Sequence, residues 1–387
     1  MENSLIKWRE DFIFRGKKLF YNRIQYNNFA ERAVEIPIAF DFLANLRKQY
    51  SILEVGNVLS NYENSLSDYF GIRSRRIIDK FEVGLGIENI DLMEFPDEEK
   101  YYVIVSISTI EHVGQGISPL GDFGERKMAA DLEAPLKAIA KIYDMLHVGG
   151  KALITGPFGK LTDGDWFIQF STEYLNLLIT KFGIPKEALS VSFLRRIATQ
   201  LNPDNPYQLW IEADEKELSK TEYNGSWDGA GAVAVIELTK VSDRFLLSLN
   251  VPPTPLIYEP PILIGSVYYS RFTHPIKPDK DGEICSERRG LIFHGSYNDI
   301  PVGDYELIYS IQVDVPCDLL FDVMLKNIKS KEKVLKHYIC RSDEARQIIK
   351  ISSEQTHIEF RLFNRSGDRV KIRVQKFILR SVKSVMT

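Results

Sequence analysis

The sequence predicts two fold classes in one chain: an α/β doubly wound, mostly parallel sheet first, then an antiparallel β-sandwich. Three observations lead there. Short apolar runs ending on a turn or an acid recur between helical stretches from residue 51 to residue 159. The segment VPPTPLIYEPP (251–261) then places five prolines in eleven residues. Beyond it, apolar and polar residues alternate in short runs separated by turns such as PVGD and RSGD.

The elements follow in order. SILEVGN (51–57) is a β-branched and apolar run that ends on Glu54 and turns through Gly56 and Asn57. A buried parallel strand delivers a ligand-binding loop to the carboxyl edge of an open sheet in this way. RRIID (75–79) reads as a second strand ending in an acid, NID (89–91) as a short third, and YYVIVSIST (101–109) as a fourth. The fourth runs directly into IEHV (110–113), and KALITGPFG (151–159) is the fifth after a long helical stretch. GAGAVAVIELTK (229–240) supplies the last strand of the first domain. Upstream of all these, Asn28 and Glu31 have capping-box spacing and mark a helix start.

Proline removes a backbone donor and fixes φ, so 251–261 reads as a stiff linker between domain 1–250 and domain 262–387. Downstream, GLIFHGSY, DYELIYSIQVDV, DLLFDVMLKN, RQIIKISS, HIEFRLFN and RVKIRVQKFIL alternate as half-buried strands do, which predicts a sandwich or jelly roll.

Composition narrows the class. At 387 residues two domains are expected, and 44% apolar with 26% charged residues describes a globular chain. No apolar run approaches the roughly 20 residues of a membrane span, and the N-terminus has no secretory pattern. Cys285, Cys317 and Cys340 are widely spaced without a CxxC pair, which fits a reducing cytoplasm and argues against a zinc site. Residues 262–387 carry 21 Lys and Arg against 16 Asp and Glu, whereas the remainder carries 28 against 37. The acidic first part argues against a nucleic-acid partner; the basic second part faces either an anionic polymer or solvent.

With EVGN at the first strand, Asp79 after the second, Asp91, SIST-EHV and the L-x-x-GG turn before the fifth, residues 28–240 resemble the class I S-adenosyl-L-methionine (SAM)-dependent methyltransferases. Val58 and Ser60 stand where many members have further glycines, and Val148 replaces a usual proline. The resemblance implies a Rossmann-like seven-stranded sheet with an antiparallel last strand and SAM as cofactor. It implies that Glu54 orients the loop and the cofactor amine, that Gly56 and Asn57 let backbone amides approach, and that Asp79 takes the ribose diol beside Lys80. Asp91 and Leu92 would border the adenine, and Ser106 and Ser108 the methionine part. FHGSYNDIPVGDYEL (293–307), FDVMLKN and IEFRLFNRSG are similar to carbohydrate-binding-like jelly rolls fused to bacterial polysaccharide-modifying enzymes.

Each residue also has a plainer reading. Glu54 is then a strand-end acid, Asp79 half of a surface pair with Lys80, and Asp91 a turn cap. Methyl transfer to a hydroxyl needs a base. His112 qualifies by its near-neutral pKa, with Asp165 in GPFGKLTDGDWFIQF as rival. Tyr26 and Arg32 in YNNFAERAVEIPIAF (26–40) would close the site, and Trp166, Trp210 and Trp227 would stack on a sugar face. The expected function is cytoplasmic SAM-dependent O-methylation of a sugar hydroxyl in a bacterial surface polysaccharide or its precursor, without a metal. The partners are that glycan, a polysaccharide assembly complex bound peripherally, and a second copy through sandwich edges. Two alternatives stand: a small-molecule acceptor with an oligomerising sandwich, and a glycan-binding module on a degenerate cofactor domain.

Overall fold

The computed structural model describes residues 9–22, 30–46, 51–117, 124, 131–200, 207–223, 229–260, 262–264, 272–279, 282–295, 299–300, 302–326, 331–352 and 356–382. They form two compact units, one ending at Glu259 and one beginning at Pro260.

The first unit opens with a hairpin, β1 (Asp11–Phe14) and β2 (Lys17–Phe20), followed by α1 (Arg32–Ala44). Pro37 lies inside α1 and cannot donate to the Ala33 carbonyl; the amide of Asn22 takes that acceptor instead, at 2.9 Å. The expected capping box is not what starts this helix. Asn28 lies outside the described residues, and Glu31, at the N-cap, makes no capping bond because its Oε2 accepts from the Ala230 amide.

The parallel strands are β3 (Ile52–Val55), β4 (Arg76–Ile78), β5 (Ile87–Glu88), β6 (Tyr101–Ile107) and β7 (Leu146–Pro157), with α2 (Glu63–Phe70) after β3 and α3 (Ala134–Asp144) before β7. The third strand ends just before the predicted Asn89–Asp91, which form the turn that follows it. A short pair, β8 (Thr162–Asp163) and β9 (Ile168–Gln169), precedes α4 (Thr172–Thr180), β10 (Leu189–Gln200), β11 (Tyr207–Ala213) and β12 (Ala232–Thr239).

The sheet order is β11-β10-β12-β7-β6-β3-β4-β5. β3 to β7 pair in parallel, and β12 lies antiparallel between β7 and β10. Among the described residues it has eight strands rather than seven, because Tyr207–Ala213 adds the edge strand β11. Alternate residues of β6 and β7 serve opposite faces. Ile104, Ala152 and Ile154 pack with Ile139 of α3, while Val103, Val105 and Leu153 pack with Val34 and Ile38 of α1. The chain order reverses between β3 and β6, and such a switch point opens a crevice at the strands' carboxyl ends.

Residues 251–259 lie against this unit. The Thr254 amide donates to Glu133 Oε1, Lys181 Nζ donates to the Pro252 carbonyl, and the Glu259 amide to the Leu161 carbonyl.

The second unit is two antiparallel sheets. One orders β13 (Ile262–Ile264), β22 (Val370–Ser381), β17 (Gly303–Val313) and β20 (Asp343–Ile351), with β14 (Ile284–Ser286) also on β22. The other orders β15 (Gly290–Gly295), β21 (Thr356–Asn364), β18 (Leu319–Lys326) and β19 (Lys331–Ile339), with β16 (Asp299–Ile300) also on β21. Tyr309 and Phe377 from the first meet Phe321 and Phe360 from the second, with centroids 4.4 to 6.4 Å apart. A shared aromatic core between two sheets is a β-sandwich.

Candidate cofactor and acceptor site

A cavity of about 570 Å³ opens at the carboxyl ends of β3, β4 and β6. Its wall gathers Gly56 and Asn57 after β3, Asp79 and Lys80 after β4, Asp91 and Leu92 after β5, and Ser108 and His112 after β6. Arg32 of α1 and Trp166 of the β8–β9 turn complete one end. The wall thus brings ten of the sequence-predicted residues together.

Gly56 has φ +85°, and a Cβ there would lie 2.2 Å from Thr109 Oγ1. Only glycine lets the β3 loop close onto the end of β6. Glu54 holds that loop from behind: Oε1 accepts from the Val58 and Leu59 amides at 2.8 and 2.6 Å, and Oε2 pairs with Arg75. Burial pushes its carboxyl upward despite Arg75. Glu54 is 1% exposed and not part of the wall, so direct cofactor contact is corrected to loop support. Ser106 is corrected likewise: fully buried, its hydroxyl donates to the Val55 carbonyl at 2.9 Å and joins β6 to β3.

Asp79 Oδ1 accepts from the amides of Phe81 and Glu82 at 2.9 and 2.8 Å, while Oδ2 has a long 3.3 Å contact from the Asn57 amide. One carboxylate oxygen therefore shapes the loop and the other is weakly held beside the cavity. Lys80 reaches across to Asp91 Oδ2 at 2.8 Å rather than pairing with Asp79. Asp91 Oδ1 caps the following turn through the Met93 amide, so the cap and cleft-wall readings both hold. Asn57 is tied by its side chain to Glu82 and Ser60.

Ser108 has φ +37°, and its hydroxyl donates to Glu35 Oε1 at 2.7 Å. Glu35 is fully buried and pairs through Oε2 with Arg32 at 2.8 Å. His112 stacks on Trp166, with centroids 5.1 Å apart and planes 8° from parallel. Its Nδ1 lies 2.8 Å from the Trp166 carbonyl oxygen. A carbonyl only accepts, so in the neutral ring Nδ1 carries the hydrogen and Nε2 the lone pair.

The remaining predictions fare differently. Asp165 is absent from the wall; its backbone has φ +70°, its amide donates to Asp163 Oδ1, and its carbonyl accepts from the Gly116 amide. Burial and the neighbouring Asp163 push its carboxyl up, yet the rival base is not brought to the cavity. Trp210 is 1% exposed, with its indole N–H on Gln208 Oε1 at 2.8 Å, so it anchors β11 in the core and offers no face to a sugar. Tyr26 and Trp227 lie outside the described residues. Sequence reading missed Phe81, Thr109, Val113 and Gln115 in the wall. The signal was adjacency: each lies within three residues of a residue already singled out.

No family model and no curated protein matches the chain. Solved structures similar to the chain include the N-methyltransferase NodS from Bradyrhizobium japonicum WM9 in complex with S-adenosyl-L-homocysteine (SAH). It is 15% identical, with 41% of this chain and 78% of that one covered and a TM-score of 0.26. An O-methyltransferase family protein from Burkholderia thailandensis is 10% identical, over 45% and 55% of the two chains, with a TM-score of 0.25. A family 16 carbohydrate binding module is 12% identical, over 26% and 74%, with a TM-score of 0.20.

Proposed function

We propose that the chain is a SAM-dependent O-methyltransferase acting on a sugar hydroxyl of a bacterial surface polysaccharide or its precursor. The observation that carries the methyl-transfer reading is the cavity at the β3/β6 switch point, where a left-handed glycine loop, an acid after β4 and an oriented imidazole converge.

The residues fit the cofactor's chemistry. A ribose diol needs a carboxylate oxygen, and among the described residues Asp79 Oδ2 has only its 3.3 Å contact from the Asn57 amide. An adenine needs an apolar slot with polar edges, and Ile90, Leu92 and Val113 lie in the wall with Asp91. When bound, the cofactor supplies an electrophilic methyl group on a sulfonium. The chain's part is to align the partners and exclude water. His112 Nε2 is the atom that would take the acceptor's proton, because Nδ1 is held as a donor to Trp166. Arg32 would close the same end.

The sugar acceptor rests on two features: Trp166, an aromatic beside the imidazole, and the attached β-sandwich. Among the described residues no helix is long and apolar enough to cross a membrane. We place the reaction in the cytoplasm, with the sandwich holding the glycan and raising its local concentration.

The test is incorporation of labelled methyl from SAM into extracted surface polysaccharide, followed by alkali and sugar analysis. Alkali-stable label on a monosaccharide is expected. No label, with SAM binding measured in parallel, would transfer the reading to a small-molecule acceptor; no binding would overturn it.

A further inference from the structure

Glu111 is a buried acid for which the proposed chemistry has no use. It is 3% exposed, its Oε1 lies 3.7 Å from His112 Nε2, and its Oε2 meets no hydrogen-bond partner among the described residues. The charged and titratable groups around it are Glu31, Arg32 and Glu35 at the start of α1, His112 beside it, and Tyr223. Several of these are engaged elsewhere. Arg32 Nη1 holds Glu35, Glu35 Oε1 holds Ser108, and Glu31 Oε2 holds the Ala230 amide.

A buried carboxylate with one oxygen left without a donor is costly, so such a site favours the protonated acid. Burial, with Glu35 and Glu31 adding to it, pushes Glu111 well above the usual carboxylate range. Its neighbour is the ring nitrogen left with a lone pair once Nδ1 is committed to the Trp166 carbonyl. A proton-holding acid outside the wall therefore sits beside a proton-accepting nitrogen of His112, which lines the cavity with Trp166 and Arg32.

We propose that Glu111 and His112 hold protons as one coupled pair, in which Glu111 is a positioning residue that offsets the positive charge gained by His112. The proposal rests on the methyl-transfer reading. In the transfer, a bond forms between the acceptor oxygen and the methyl carbon as the carbon–sulfur bond breaks. The electron pair of that bond stays on sulfur, and the hydroxyl proton goes to His112 Nε2. The pair is competent when it has shed its shared proton: Nε2 then carries no hydrogen, and an ionised Glu111 faces the imidazolium as it forms. Two sites this close titrate in joint steps that belong to the pair.

The test needs no acceptor. The full chain is prepared with isotope-labelled histidine, His112→Gln identifies the His112 ring signal, and that signal is followed against pH by NMR. In the wild type it should move in two steps, one for each proton of the pair. In Glu111→Gln it should move in one, and in Glu111→Asp the two steps should persist. A purely structural Glu111 would leave the wild-type and Glu111→Gln curves superimposed, which overturns the pairing. Should Glu111→Gln fail to fold, a one-step wild-type curve overturns it without any variant. Calorimetry with SAH separates the two claims. Binding with a one-step curve removes the pair and keeps the cofactor reading; a two-step curve without binding keeps the pair and removes the cofactor.

Discussion

Glu111 of the first unit and Asp322 of the second are both nearly inaccessible acids, at 3% and 1% exposure, and their surroundings could hardly differ more. Asp322 on β18 takes a bidentate pair from Arg361 at 2.8 and 2.9 Å and a third contact from Lys333 at 2.8 Å. Burial pushes its carboxyl up, but the hydrogen bonds from Arg361 and Lys333 outweigh it and hold Asp322 below the usual range. Nearby, Glu359 on β21 pairs with Lys326 and lies 3.6 Å from His294. These charges knit neighbouring strands of one sheet together. Among the described residues Glu111 knits nothing with its Oε2, and burial pushes its carboxyl well above the usual range. A buried acid supplied with cations is part of the scaffold, whereas one left without a donor beside a cleft is available for chemistry.

The comparison breaks most visibly if the cleft of the first unit is not a ligand site. Gly56→Val places a β-branched side chain at φ +85° and against Thr109, so SAH affinity should fall at least about 100-fold while the circular dichroism spectrum is kept. Calorimetry checks this, and affinity within about threefold of wild type would contradict it. Next in size is Asp322→Ala, which leaves Arg361 and Lys333 without their shared acceptor. Both cations reach solvent, so the expected cost is about 1.5–3 kcal/mol in urea unfolding, with SAH affinity unchanged.

The smallest effect is also the most diagnostic, because the two acids should respond to pH with opposite sign. Asp322 is depressed in the folded chain, so its contribution is present above its unfolded value, about 3.9, and is lost as pH falls through the folded one. Glu111 is raised, so stability is fully present below its unfolded value, about 4.3, and is lost as pH rises towards the folded one. Glu111→Gln should therefore gain on wild type as pH rises above about 4.3, by at most about 1.4 kcal/mol per pH unit. A stability difference that stays flat over that range would mean that Glu111 is an ordinary carboxylate.

Much of this was legible in the residues. β3, β6, β7 and β12 are apolar runs bounded by turns, and the turn at Gly56 needed a residue that accepts positive φ. The acids after β4 and β5 stood at strand ends, where an open sheet presents them to a cleft. What escaped had physical reasons. β19, KEKVLKHYI, carries five exposed residues among its nine, including lysines that guard an edge strand, and so lacked the apolar signature. Trp210 read as a sugar platform because aromatic composition does not reveal which face of a strand is covered. Ser106 and Ser108 are two apart on β6 and at its end, yet one bonds to Val55 and the other to Glu35, a partner 73 residues away in sequence. Glu31 had capping spacing, but a tertiary contact with Ala230 claimed its carboxylate.

The proline-rich stretch has a practical consequence for dissecting the chain. Glu133 is 2% exposed and divides its carboxylate between Lys181 and the Thr254 amide, while Tyr258 packs its ring edge-on against Tyr174. A fragment cut at residue 250 would strip the backbone donor from Glu133 and uncover Tyr174, leaving a solvent-open seam along α3 and α4. The same fragment carried through Glu259 would keep that seam shut. Protease trimming of the full chain should accordingly stall at Glu259 rather than at the first proline, and the stalled product is the piece to purify for ligand work on the first unit.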